Sequence, residues 1–348
     1  MTAGEIGVQP DVDPVDVRPF RLGFLSHLHG DAEPQRHYRE YVELFVAADQ
    51  LGFDTAWVAQ HHFSPTAGRL PSPFPFLAAV AERTHHLRLG TAVITLGLED
   101  PIRIAEDAAV LDALSGGRFE LGIGGGGDPS LFAAFGKEVE GRRERNTAAV
   151  SAMVRAFRGE LIPGTEHFLH PPAPGLDERI WQAATSADGA AFVGRLGNRL
   201  LLNRAQFNSD RRTDEVQLPW AEAYLGAYRG ASEGRRIGLS RGVYPAKDKA
   251  AARSVIESAV LKLAEQRVAR NGGALAGLTP EEYFERLHIS YGSPDDVAER
   301  LASDRVLPLA TDLICQFSPA APPLQEGIAV LELIATEVAP KLGWSPAR

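Results

Sequence analysis

The feature that most constrains this chain is a regular alternation of short apolar runs with segments of helical period. Arg21–His27, Thr55–Ala59, Leu87–Thr95, Phe119–Ile123, Ile180–Thr185, Leu200–Asn203, Ile237–Tyr244 and Leu313–Phe317 read as strands. Between them, Tyr38–Leu51 sets Tyr41, Leu44, Phe45, Ala48 and Leu51 on one helical stripe and stops at Gly52. Phe74–Thr84 is a second helix. Asp100 caps a third, with Pro101 in its first turn, and this helix runs to Leu114 and ends at Ser115-Gly116-Gly117. Arg142–Phe157 is a fourth. Strands separated by helices lie parallel, because a crossover helix returns the chain to the same end of the sheet. Eight such units predict an α/β fold, a single TIM (β/α)8 barrel with insertions. An open doubly wound sheet is the other arrangement the rhythm allows. Residues 1–19 read as a flexible N-terminal arm and 20–348 as the barrel domain. Gly159–Gly175 reads as an inserted loop, and the charged stretch Ala205–Arg236 as an insertion or lid, not a core element.

Composition narrows the partners. The net charge of −9 repels nucleic acid and anionic membranes, so neither is an expected partner. Cys315 is the only cysteine, so no internal disulfide can form, which fits a reducing compartment. Met1–Pro19 has no apolar core of the kind a signal peptide needs, and no run reaches the ~18 apolar residues of a membrane helix. A cytoplasmic protein is expected.

In a barrel of this kind, chemistry collects at the C-terminal ends of the strands. Past the second strand stand Gln60, His61, His62 and Phe63; a histidine there can accept a proton near neutral pH, although both rings also suit ordinary loop packing. Past the third, Gly90, Thr91 and Ala92 allow close approach of a flat ring. Past the fourth, Gly124-Gly125-Gly126-Gly127 permits close backbone approach to a ligand and equally suits a plain turn. Past the fifth, Thr185, Ser186 and Gly189 open a helix whose N-terminus suits a phosphate, with Ser186 as N-cap the alternative role; Asp188 opposes an anion there. His27 and His29, at the end of the first strand, share one face. That pair raises a metal-dependent barrel hydrolase as a rival reading, but the strands beginning at Ile180 and Leu200 carry none of the further histidines such a site requires.

Three stretches carry a family resemblance: Gly52-Phe53-Asp54-Thr55-Ala56-Trp57-Val58-Ala59-Gln60-His61-His62-Phe63, Leu87-Arg88-Leu89-Gly90-Thr91-Ala92-Val93, and the run from Glu106 through Leu111-Asp112-Ala113-Leu114-Ser115-Gly116-Gly117-Arg118 to Gly124. With Gly292-Ser293-Pro294-Asp295-Asp296-Val297, a late helix start, they resemble the bacterial-luciferase-like flavin-dependent monooxygenases. The resemblance implies an oxidoreductase that uses reduced FMN, supplied by a separate flavin reductase, and O2 to oxygenate a small organic substrate. It implies His61 as the catalytic residue. It assigns cofactor binding to Thr91, Ala92, Gly124, Gly125, Arg143, Thr185, Ser186 and Gly189, and the substrate pocket to His27, Gln60 and Phe63, with no metal. It implies a cis peptide at Ala92–Val93 and a homodimer through the helices Phe74–Thr84 and Pro101–Leu114. F420, a deazaflavin used for hydride transfer without O2, is the alternative cofactor, and a non-catalytic flavin-binding protein the alternative role. Gln60 stands where the family usually has glutamate, which removes a charge beside His61.

Overall fold

The computed structural model describes residues 18–64, 68–271, 273–317 and 319–347. The strands are β1 (Arg21–Ser26), β2 (Thr55–Val58), β3 (Arg88–Thr91), β4 (Ile94–Thr95), β5 (Phe119–Gly124), β6 (Ile180–Ala183), β7 (Arg199–Leu202), β8 (Ile237–Pro245), β9 (Ser290–Gly292) and β10 (Asp312–Gln316). The α-helices are α1 (Pro34–Gln50), α2 (Pro73–Ala81), α3 (Pro101–Leu114), α4 (Pro129–Ala134), α5 (Arg142–Phe157), α6 (Ala187–Arg195), α7 (Thr213–Ala227), α8 (Lys249–Asn271), α9 (Pro280–Arg286), α10 (Pro294–Ala302) and α11 (Leu324–Leu333). Each strand pairing is parallel, and β10 closes the ring by pairing with both β1 and β8. β3 and β4 share one barrel position, and β9 extends β8 outside the ring. The result is a closed eight-stranded TIM barrel with its helices outside. Among the described residues, no helix is long and apolar enough to cross a membrane.

The ends of the elements follow local chemistry. The Asp100 side chain accepts from the backbone N–H groups of Ile102 and Arg103, and Pro101 follows it, as expected. Ser293 and Asp296 form a reciprocal capping box that starts α10. α1 begins four residues before the expected Tyr38, because Glu33 caps it and Pro34 fixes its first turn. The third strand is not continuous: it breaks at Ala92–Val93, where the peptide bond is cis, as the resemblance implied. Residues 1–17 of the expected arm lie outside the described residues. Arg18 is tied down by Asp54, 2.8 Å away, and by the Ser345 carbonyl at 3.0 Å.

The stretch Ala205–Arg236 is not a polar insertion. It holds α7, which buries Trp220, Ala221 and Tyr224 against α6 and β7. Its apolar stripe is hard to read because two polar residues on the same face, Asp214 and Gln217, are also fully buried. They belong to an ionic cluster between barrel and helices. Arg241, on the outer face of β8, pairs with Asp304 at 2.6 Å, and both are fully buried. Arg241 also donates to Gln217 Oε1 at 2.9 Å. His288 lies between Asp214 and Asp304, 3.5 and 3.4 Å from their carboxylates, and Arg212 grips Asp214 with two hydrogen bonds. Removing one member of such a pair strands the other charge without solvent. Asp304→Ala is therefore expected to lower stability by about 3–5 kcal/mol, and Asp304→Asn, which keeps an acceptor for the Val306 N–H, by less. Urea unfolding of both variants checks the order.

Candidate active site

The site is built on a floor of two indoles. Trp57 from β2 and Trp181 from β6 point into the barrel and meet edge to face, with centroids 5.4 Å apart. Leu25, Ala59, Leu201 and Ile314 complete this layer. Above it, at the C-terminal mouth, three imidazoles gather. His27 Nδ1 lies 2.8 Å from His61 Nε2, and His27 Nε2 lies 3.2 Å from Gln316 Oε1. The His29 ring stacks on His27 at 5.3 Å, as the shared face predicts; the intervening Leu28 takes a positive φ of 50° and buries its side chain. Arg204, past β7, and Arg267, on α8, flank the group, and both guanidiniums lie over the Phe207 ring, at 5.9 and 4.8 Å.

This setting keeps the rings neutral. Burial is the main cause, and the cations add to it. His61 is held down to about 4 by burial, then Arg267, His62 and Arg204. His29 is held at about 4 by burial, then Arg204 and His61. His27 is pushed well below the usual range by burial, then Arg204 and its two histidine neighbours. Arg204 itself drops to about 10, chiefly through burial, and so remains a cation at neutral pH.

The second half of the mouth is the ends of β4, β5 and β6. A Cβ on Gly124 would come within 2.6 Å of Val93 Cγ2, so these strand ends are in contact. A Cβ on Gly125 would lie 2.9 Å from Asn146 Nδ2, and one on Gly127 would lie 3.9 Å from an Arg142 guanidinium nitrogen. Arg142 and Asn146 are one helical turn apart on α5 and are half-buried. Arg143 faces solvent, so the residue on α5 aimed at the glycine loop is Arg142. Helix periodicity could have found it: Arg142, Asn146 and the buried Met153 fall in line at i, i+4 and i+11.

Other expected site residues fall as follows. Ser186 caps α6, its Oγ accepting from the Gly189 N–H at 3.1 Å; Thr185 and Ser186 are exposed beside the α6 N-terminus. Thr91 is fully buried and clasps Gly122, donating to its carbonyl at 2.8 Å and accepting from its N–H at 2.9 Å, so its hydroxyl serves the strand pair and not the mouth. Gly90 makes room for Trp57, whose Cε3 would lie 2.1 Å from a Cβ there, and not for a ligand ring. Ala92 packs on the indole floor. Gln60 turns away from the histidines: its Oε1 accepts from the Thr95 N–H at 2.8 Å, and its Nε2 donates to Glu99 at 3.0 Å. Phe63, with φ 53°, is largely exposed against Phe135 at 5.6 Å. Arg204 and Gln316 were legible only as strand-end positions. Arg267 lies in a helix that carries no motif. Among the described residues, no three His, Cys, Asp or Glu side chains converge as metal ligands; His27 bonds to His61 and Gln316 instead, and His29 stacks on His27.

The model of the luciferase-like monooxygenases matches residues 20–311, and the chain belongs to that family. It is 38% identical over 226 residues to the 4-hydroxyprotoasukamycin monooxygenase of Streptomyces nodosus subsp. asukaensis, covering 62% of this chain and 60% of that protein. The chain thus spans little more than half the length of its curated relatives. The crystal structure of the monooxygenase RslO1 from Streptomyces bottropensis superposes with a TM-score of 0.76 at 25% identity, covering 93% of this chain and all of that one. The oxygenating constituent of 3,6-diketocamphane monooxygenase from Pseudomonas putida, in complex with FMN, shares the fold with a TM-score of 0.72 at 19% identity, covering 94% of this chain and all of that one.

The histidine values set a pH window. In the unfolded chain an imidazole takes up its proton near 6.5. His29 and His61 do so only near 4 when folded. Between these limits the unfolded state binds more protons, so stability is expected to fall as pH drops from about 6.5 to 4, and to be independent of these two groups above that window. NMR titration of the ring resonances checks it directly. Midpoints near 6.5 would contradict the described environment, and Arg204→Met should raise both midpoints.

Proposed function

We propose that this chain is the oxygenase of a two-component system: an FMN-dependent monooxygenase that takes reduced FMN from a separate flavin reductase and uses O2 to oxygenate a small organic substrate. The observation that carries this reading is the division of the barrel mouth into a neutral imidazole cluster on one side and an anion-receptive side on the other. The anion side fits a phosphate. Arg142 and Asn146 line the glycine loop, and the first N–H groups of α6 are available at a helix N-terminus capped by Ser186. Gly124 and Gly125, without side chains, let a ring system lie against the strand ends. Bound reduced flavin supplies the electrons that activate O2. The chain's own residues hold it, exclude water from below with the Trp57–Trp181 floor, and place a neutral base, His61, where a proton is taken up or returned.

The substrate reading rests on a pocket of about 210 Å3 beside His27 and His29. Phe24, Leu44, Phe317 and Leu324 give it an apolar wall, and Asp31 and Glu40 add two carboxylates. That lining favours a small, mainly apolar, uncharged or cationic substrate. For assembly we propose a homodimer through α2 and α3, supported by the exposed Val110 and Leu114 on α3 and by an apolar groove of about 610 Å3 between α1 and α2.

Anaerobic ultrafiltration against reduced FMN and reduced F420 tests the cofactor. Retention of FMN is expected, and Arg142→Ala should weaken it by roughly 10–100-fold, the value of one charged hydrogen bond. Retention of F420 alone would replace oxygenation by hydride transfer, and retention of neither would overturn the reading. His61→Ala should keep FMN binding while losing about 10²–10⁴-fold in substrate-dependent O2 uptake. A solution mass near 37.5 kDa, that of one chain, would remove the dimer.

A further inference from the structure

We propose that Gln316, at the end of β10, is a positioning residue that fixes which nitrogen of His61 carries the proton, leaving Nδ1 of His61 as the proton-accepting atom at the mouth. This rests on the reading that His61 works there as a neutral base.

The argument follows one chain of hydrogen bonds across the barrel. Ser240 Oγ, from β8, donates to the Ile314 carbonyl at 3.3 Å. Its proton is thereby committed, so Ser240 can only accept from Gln316, whose Nε2 lies 2.5 Å away. The amide is then oriented, with Oε1 toward His27 at 3.2 Å. A carbonyl oxygen only accepts, so His27 Nε2 must carry a hydrogen. A neutral imidazole has one proton, which leaves His27 Nδ1 bare. His27 Nδ1 therefore accepts from His61 Nε2 across 2.8 Å. The single proton of neutral His61 is then on Nε2, and its Nδ1 is bare. The low proton affinity of both rings removes the doubly protonated case.

The polarity of the whole chain depends on one amide. Rotating Gln316 by 180° would put its Nε2 against His27 Nε2, force the His27 proton to Nδ1, and move the His61 proton to Nδ1 in turn. Ser240 and Gln316 are both buried, so solvent does not supply a substitute partner. No step of the relay needs an additional acid or base. Gln316 acts through His27 and touches no reacting atom.

The test reads the tautomers directly. Protein labelled with 15N-histidine, its resonances assigned with His27→Gln and His61→Gln, is examined without flavin by long-range 15N–1H correlation at pH 7. The expected result is the Nε2–H form for both rings in the unaltered protein, and a mixture of forms in Gln316→Leu and in Ser240→Ala. Protein with the His61 proton on Nδ1, or a Gln316→Leu variant that keeps pure Nε2–H rings, would overturn the proposal whatever the enzyme's activity. Circular dichroism and urea unfolding confirm that the variants fold. A third variant, Gln316→Asn, keeps the amide but shortens its reach and should also give mixed tautomers. Substrate-dependent O2 uptake then tests the reading beneath it. A fall in kcat of about tenfold or more in Gln316→Leu, within the ~10²–10⁴-fold worth of a general base, is expected, with FMN retention unchanged. Mixed tautomers with unaltered kcat would uphold the positioning by Gln316 and overturn the assignment of His61 as the base.

Discussion

The structure depends on how two indoles fit inside one barrel. Trp57 and Trp181 fill its middle layer, and three inward strand positions are emptied for them. Gly90 gives way to Trp57, Gly238 to Trp181 and Leu201, and Gly23 to Thr55 and Trp57. A side chain at Gly90 would collide with the rigid indole, not with the end of a flexible chain. Burying a tryptophan removes about 150–250 Å2 from water, about 4–6 kcal/mol each before the entropy of ordering. Both ring N–H groups are satisfied: Trp57 donates to Thr55 Oγ1 at 2.9 Å and Trp181 to Glu120 Oε2 at 2.7 Å.

That second bond links the floor to the layer beneath it. Glu120 is fully buried and receives Arg88 at 2.6 Å and Arg199 at 2.7 Å, so one carboxylate ties together strands β3, β5 and β7 while anchoring the indole of β6. Burial alone would raise its proton affinity. Arg199 and Arg88 outweigh burial and hold it at about 2. The barrel is therefore ionic at the bottom, aromatic in the middle and imidazole-lined at the top. The aromatic layer separates the charges below from the bases above. Burial comes first in keeping the histidines neutral, the arginines and the other imidazoles at the mouth add to it, and no carboxylate acts on them from below the indoles.

The sequence made the barrel readable because the evidence for it is local: apolar runs, proline after an N-cap, glycine after a helix. All eight strands stand where their apolar runs predict. α7 was missed for the opposite reason, since Asp214 is met by His288 and the Arg305 N–H, and Gln217 by Asn203 and by Arg241 of β8, partners that no local pattern announces. The site divides the same way. His27 and His61 were legible as strand-end histidines, and their meeting at 2.8 Å follows from adjacent strands β1 and β2. Thr91 and Gly90 were misplaced because strand-end position does not say which side of the ring a residue serves. Arg143 and Arg142 differ by about 100° around α5, and only Arg142 falls in line with Asn146 and Met153, at i+4 and i+11. Gln316 carries no motif. Its role comes from a contact with a residue 289 positions away.

The glutamine at position 60 brings these threads together. A glutamate there would place a second carboxylate against Glu99, which lies 3.0 Å from the present amide nitrogen, and would leave Thr95 with an acceptor but Glu99 without a donor. Gln60 and Glu99 are thus one linked choice, in which the amide serves a carbonyl-like acceptor to one side and a donor to the other. The consequence for His61 is electrostatic. The groups that set its proton affinity are burial and cations, with no carboxylate among them. A base kept neutral in this way can accept a proton at any pH above about 4, and its behaviour is then governed by which of its nitrogens is bare. In this chain the nearest carboxylate to Gln60 is that of Glu99, on its far side from the histidines, and hydrogen-bond direction, not a neighbouring charge, governs His61.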